Sequence, residues 1–183
     1  MIETEVKLAF SSIEAARQAV ETAGGRLVVS SRLIADRLFD TRDVQLRRRG
    51  VTVRLRRDGP SHILTWKGPQ QPGPVKSREE IETLVDDAPA MERILAGLGL
   101  LRCFAAEKYR AEYALGNAHL MVDHTPAGVF VEIEADVDEI ARVAALIGRS
   151  PSDYRLESYP RLWRQWCEER ARPACDMLFA NLP

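Results

Sequence analysis

The segment Met1-Ile-Glu-Thr-Glu-Val-Lys-Leu8 alternates charged with apolar side chains. In a strand, residues two apart share a face, which puts Glu3, Glu5 and Lys7 on one side and Ile2, Val6 and Leu8 on the other. Two carboxylates at neighbouring positions of one face repel unless something neutralises them. A divalent cation held by hard oxygen ligands would do so, leaving the lysine for an anion.

One charged face is the ordinary solvent side of a half-buried antiparallel strand; repetition argues for more. Val51 to Arg57 sets Arg54 and Arg56 on one face, Lys76 to Val85 sets Arg78, Glu80 and Glu82 on one face, and Glu107 to Tyr113 offers Lys108 and Arg110. Val129 to Glu134 sets Glu132 and Glu134 against Val129, Val131 and Ile133, while His62 to Gly68 adds Lys67 and His119 to His124 adds Asp123. If these strands close into a barrel, the charged faces line a single interior that a packed apolar core cannot fill. The charges inside then require each other, water, metal ions or a polyanion.

Between the strands, Ser11-Ser-Ile-Glu14 reads as a capping box ahead of Ile13, Ala16, Val20 and Ala23 at helical spacing, with Gly24-Gly25 as the stop. Leu33 to Thr41, Val51 to Asp58 and His62 to Lys67 read as strands, the last two joined by the turn Asp58-Gly-Pro-Ser61. After a loop from Gly68 to Gly73 the order recurs: a strand from Lys76, a helix opened by Asp87-Ala-Pro89 and running through Leu98, and strands centred on Tyr109, Met121 and Glu132. Asp136-Val-Asp-Glu139 starts a helix to Gly148, and Tyr159 to Arg172 forms another with Leu162, Trp163 and Trp166 on one side. The expected architecture is α+β: one domain over 1–183 holding an eight-stranded antiparallel barrel, built as two strand-helix-three-strand units with helices on the apolar outer faces. The C-terminal helix and tail, 159–183, either close one mouth of the barrel or lie on its wall.

Bulk composition narrows the partners. Lysines and arginines number 26 against 27 aspartates and glutamates, so the net charge of -1 shows no basic excess suited to nucleic acid or an anionic membrane. No apolar run approaches the ~18 residues of a spanning helix and no signal-peptide pattern is present, which makes a cytoplasmic location the expectation. Cys103, Cys167 and Cys175 lack C-x-x-C spacing and read as reduced structural thiols. His62, His119 and His124 are too scattered for a zinc motif, although His119 shares strand parity with Asp123 and so faces the interior if that strand is placed correctly.

The ordered set Glu3-x-Glu5-x-Lys7, Phe39-Asp-Thr41, Val53-Arg-Leu-Arg56, Leu64-Thr-Trp-Lys67-Gly-Pro69, Arg78-Glu-Glu-Ile-Glu82, Lys108-Tyr-Arg110, Asp123, Glu132-Ile-Glu134 and Ser158-Tyr159 resembles the CYTH domain of the triphosphate tunnel metalloenzymes. That group includes class IV adenylyl cyclases, thiamine triphosphatases and inorganic triphosphatases. The resemblance implies a tunnel in which basic residues bind a triphosphate and acidic residues bind magnesium or manganese. Leu38 departs from the pattern, standing where members often carry an aromatic residue, and the tail beyond Trp166 matches no motif.

On that basis Lys7, Arg54, Arg56, Lys67, Arg78, Lys108 and Arg110 form the expected polyphosphate cradle, arginines forking onto phosphate oxygens and lysines acting as point charges. Glu3, Glu5, Glu80, Glu82, Asp123, Glu132 and Glu134 form the expected metal-binding set. Glu3, Glu5, Glu132 and Glu134 are the expected catalytic carboxylates, as metal ligands or water-orienting groups. Trp66 shares no parity with Lys67 and faces outward, and Phe130, which shares parity with Glu132, reads as packing. The absence of an evident inward aromatic favours inorganic triphosphate, with an adenylyl cyclase, a thiamine triphosphatase or a non-catalytic polyphosphate-binding module as alternatives. A homodimer is compatible with the chain.

Overall fold

The alternating segments become strands of one closed sheet in the computed structural model, which describes residues 1–182; Pro183, the end of the expected tail, lies outside the described residues. The chain runs β1 (Ile2–Phe10), α1 (Ile13–Thr22), β2 (Arg26–Asp40), α2 (Gln45–Arg48), β3 (Thr52–Asp58), β4 (Ser61–Lys67) and β5 (Lys76–Leu84). It continues through α3 (Ala88–Gly97), β6 (Leu101–Leu115), β7 (Ala118–Thr125), β8 (Gly128–Glu134), α4 (Val137–Leu146), β9 (Tyr154–Arg155) and α5 (Tyr159–Glu169). The strand order β5-β4-β3-β2-β6-β7-β8-β1 closes through a β1–β5 pairing, giving an eight-stranded antiparallel barrel with the helices packed outside.

The two units are related in pairing as well as in order. The long second strands, β2 and β6, pair with each other, the first strands, β1 and β5, pair with each other, and the last strand of each unit pairs with the first strand of the other. One edge of β1 meets β8, and the opposite edge meets β5 over Ile2 to Glu5 and then β9 at Lys7 and Leu8. The short ninth strand, not foreseen in the sequence, thereby covers the stretch of edge that β5 leaves open.

Pleating sorts the residues as the alternation requires. Val6, Leu8, Leu120, Val122, Val131 and Ile133 face out and pack beneath Ala16 and Val20 of α1 and Ile140, Val143 and Ala144 of α4. Phe39, Val53, Leu55 and Trp66 pack beneath α3 through Leu95, as expected of an outward Trp66. The hydrophobic layers therefore lie outside the barrel wall, and the inside is left to charge.

Local chemistry sets the ends of these elements. α1 is capped by Ser12, whose Oγ accepts from the Ala15 amide at 3.1 Å, so the cap lies one residue beyond the expected Ser11 box. Asp87 and Asp136 cap α3 and α4 in the same way, from Ala90 and Glu139. Gly59 takes φ 59° in the β3–β4 turn, the left-handed value a tight hairpin needs at its first turn position. α5 stops at Glu169 and not at Arg172, because Ala171 turns left-handed at φ 51° and Pro173 follows. β2 and β6 exceed their expected lengths of Leu33 to Thr41 and Glu107 to Tyr113, continuing through register shifts that periodicity does not reveal.

Because the outer layers supply the apolar burial, Ile133→Ala is expected to cost roughly 2–5 kcal/mol, read from urea unfolding. A loss below 1 kcal/mol would mean the α4 layer contributes little.

Candidate active site

Barrel closure brings thirteen of the fourteen sequence-predicted residues around one cavity of about 1090 Å³. Cross-strand register orders them along its axis. Glu5 stands opposite Glu134 and Lys7 opposite Glu132, so an acidic level is followed by a paired level.

At the acidic level, Glu3, Glu5 and Glu134 each offer an oxygen within 4.8 Å of the others. Burial, then the nearby charges of Glu132, Glu3 and Glu5, push the Glu134 carboxyl up. Burial and a hydrogen bond with Glu3 push Glu80 up to about 8, whereas Glu3, against its own burial, is held at about 2 by Glu80 and Lys67. Three converging hard-oxygen donors, of which Glu134 has among the described residues only His119 as a side-chain partner, suit magnesium or manganese. Glu82 sits at the edge, accepting from Arg54 at 3.0 Å and Thr65 at 2.7 Å.

At the paired level, Lys7 lies 2.9 Å from Glu5 and 3.0 Å from Glu132, and Arg110 also reaches Glu132. Burial works against ionisation at Glu132, yet Lys7, Lys108 and Arg110 hold its carboxyl well below the usual range. Lys67 contacts Glu3 at 2.9 Å and pairs with Glu80. Arg78 has only Glu3 at 4.0 Å, and its Nε, like that of Arg54, is buried with no hydrogen-bond partner. Both arginines line the cavity, and guanidinium groups placed there can grip phosphate oxygens.

Asp123 is the residue that the cavity does not expose. It has no accessible surface and accepts from Lys108 at 2.8 Å, from Arg110 Nε and Nη2 at 2.7 and 2.6 Å, and from the Tyr159 hydroxyl at 2.7 Å. Three of these contacts fall on Oδ2 and one on Oδ1, so Asp123 anchors the basic pair, and it lies outside the group of Glu3, Glu5 and Glu134 whose oxygens converge. Tyr159, the first residue of α5, packs edge-on against Phe130, with Lys108 Nζ 4.7 Å and Lys7 Nζ 5.3 Å from its ring centroid. Ser158, Tyr159, Pro160 and Met177 line the cavity, and the tail pairs with β6 through Met177, so the α5 segment closes this end. Trp163 and Cys167 fix the helix against Met177.

Several site residues escaped the sequence reading. Lys76 is buried against Glu5, and burial with the neighbouring Lys7 pulls it down to about 8; its parity with Arg78 was the available signal. Asp36 binds Arg56 through Nε at 2.7 Å and Nη2 at 2.9 Å; it is one of two acids in β2, with Asp40. Glu112 lines the cavity and was likewise missed, as parity with Lys108 and Arg110 could have shown.

Residues 1–150 match the model of the CYTH domain. The chain belongs to the CYTH family. CYTH proteins are divalent-metal-dependent enzymes that bind triphosphate substrates. The chain is 26% identical over 141 residues, 76% of its length and 80% of the relative's, to a Methanocaldococcus jannaschii protein named as a candidate adenylate cyclase. It is 26% identical over 177 residues, 89% of either chain, to the adenylate cyclase CyaB of Aeromonas hydrophila. HpAC1 from Hippeastrum, a candidate adenylyl cyclase described as revealing a dominant triphosphatase activity, superposes with a TM-score of 0.64 at 19% identity, covering 89% of this chain and 95% of that one. Among the described residues no helix is long and apolar enough to cross a membrane.

In the folded protein both Asp36 and Asp123, although burial opposes it, are held below their ordinary 3.8 by arginine and lysine neighbours. The unfolded chain takes up protons there at higher pH, so this stabilisation is present above about pH 4 and lost below it. Thermal midpoints followed from pH 5 to pH 2 are expected to fall. Asp123→Asn, which strands Lys108 and Arg110, is expected to cost roughly 3–5 kcal/mol at pH 7; a melting temperature equal to the parent's would contradict the anchoring role.

Proposed function

We propose that this CYTH protein is a divalent-metal-dependent triphosphatase that hydrolyses inorganic triphosphate and releases phosphate. The observation that carries the reading is the closed end of the tunnel. Among the described residues lining the cavity, Tyr159 is the one aromatic ring besides the His119 imidazole, and it is occupied by Phe130, Lys7 and Lys108. No free aromatic face is offered to a purine or thiazolium, whereas a bare triphosphate needs none.

In this reading Lys7, Arg54, Arg56, Lys67, Arg78, Lys108 and Arg110, joined by Lys76, bind the phosphates. Glu3, Glu5 and Glu134 hold a cation, with Glu80, Glu82 and Glu132 around them. The lining carries eight lysines and arginines against ten aspartates and glutamates, and with Glu80 pushed up to about 8 and His119 up to about 9 the wall is close to charge-balanced and offers a polyanion little net positive charge. A magnesium or manganese ion held by Glu3, Glu5 and Glu134 would add positive charge and would polarise an attacking water. The arginine forks orient the chain while the carboxylates take up the water's proton. Asp36 and Asp123 keep Arg56, Lys108 and Arg110 in place before substrate arrives, which lowers the reorganisation needed at the transition state.

The names of the two sequence relatives favour a second reading, adenylyl cyclisation, in which the same cradle holds ATP and its ribose hydroxyl attacks the α-phosphate. Incubation with triphosphate, ATP and thiamine triphosphate in magnesium or manganese separates the two. Phosphate from triphosphate is expected, and cyclic AMP with pyrophosphate as the dominant products would select the cyclase.

Glu5→Gln is expected to lower kcat by about 100-fold or more while triphosphate still binds in part; wild-type turnover would remove Glu5 from the catalytic set. Arg56→Lys keeps the charge but loses the two-point grip on Asp36, and should lower kcat/KM by roughly 10-fold or more.

A further inference from the structure

At the acidic end of the cavity a chain of charges runs across five adjacent strands and ends on a carboxylate of the metal set. Asp58 on β3 accepts from Arg32 on β2 through Nε at 2.5 Å and Nη2 at 2.6 Å. The same Nη2 reaches Glu112 on β6 at 2.5 Å. Glu112 holds His119 on β7 by its Nε2 at 3.0 Å, and His119 Nδ1 faces Glu134 on β8 at 3.6 Å. With one ring nitrogen clamped and the backbone of β7 fixed between β6 and β8, the imidazole has little freedom to turn.

We propose that His119 is a positioning residue for the metal site: it fixes the Glu134 carboxylate so that one oxygen is held toward the ring and the other is turned to Glu3 and Glu5. The inference rests on the metal-dependent reading above. Glu134 has no other side-chain partner among the described residues, while Glu3 and Glu5 are each fixed by lysines. Without His119, repulsion from Glu3 and Glu5 would swing this one unrestrained carboxylate away from them. Arg32 and Asp58 act one step further back by holding Glu112. A second residue that orients a ligating group commonly sets metal affinity by about 10–100-fold.

The test is manganese binding by the substrate-free full-length protein, followed by electron paramagnetic resonance of the free ion, with unfolding midpoints of the metal-free variants measured alongside. His119→Ala is expected to weaken binding by roughly 10–100-fold with an unchanged metal-free midpoint. His119→Asn should recover part of the loss, because its amide nitrogen stands where Nδ1 stood, and His119→Gln should not. Glu112→Ala should match His119→Ala, with no further loss in the double variant. Wild-type affinity in His119→Ala while Glu134→Gln loses binding would overturn the positioning role alone. A loss in His119→Ala that tracks a lowered midpoint and is not relieved by Asn would also overturn it, as a structural effect. Failure of the wild type to bind manganese, or full binding by Glu134→Gln, would instead bring down the metal reading on which it rests.

Discussion

Charge buried inside a barrel must be compensated on the spot, and the pairing of Asp123 with Lys108, Arg110 and Tyr159 is where this protein does so most completely. An unpaired ion in that position would carry a desolvation cost of several kcal/mol. Around this anchor the cavity is a lattice in which nearly every cation already has a carboxylate. Two consequences follow. The binding groups are held in place without a ligand, and the cavity as a whole offers a polyanion little net positive charge. The near balance of charge in the wall and the converging oxygens of Glu3, Glu5 and Glu134 are what support the metal-dependent reading.

Stability and chemistry are separated by the pleat. Val6 and Leu8 pack outward beneath α1 and α4 while Glu5 and Lys7, between and beside them, turn inward. The two-unit arrangement extends the division around the ring: α1 covers one part of the wall, α3 the other, and α4 adds to the first. α5 differs in kind. Its apolar residues bind it to Met177 and β6, but its first residue enters the tunnel and shares the Asp123 anchor. The tail, for which the sequence offered no motif, is what sets the tunnel's depth.

All eight barrel strands are legible in the sequence, and β1, β3, β4, β5, β7 and β8 fall close to their expected bounds. There the period survives because no bulge interrupts it. β2 and β6 were read short, since register shifts between Leu27 and Val29, Val29 and Arg32, and Leu38 and Phe39 break the count. Asp36 and Glu112 lie inside the stretches that the sequence does mark, Leu33 to Thr41 and Glu107 to Tyr113, and Glu112 shares parity with Lys108 and Arg110 there. Lys76 stands at the first position of β5, where the expected and observed strands both begin, and shares its face with Arg78 and Glu80.

Alternation is a local property, so the sequence by itself determined that a set of acids and bases would share one face and that the apolar residues would form the opposite layer. It could not determine partners. Asp123 and Glu134 are both inward carboxylates on neighbouring strands, yet closure seals one beneath two cations and a tyrosine and leaves the other at the acidic end beside Glu3, Glu5 and His119. That difference arises from the stagger of the strands and from where α5 returns. Both depend on contacts between residues far apart in the chain, so only the tertiary structure decided which charges anchor and which remain for a ligand.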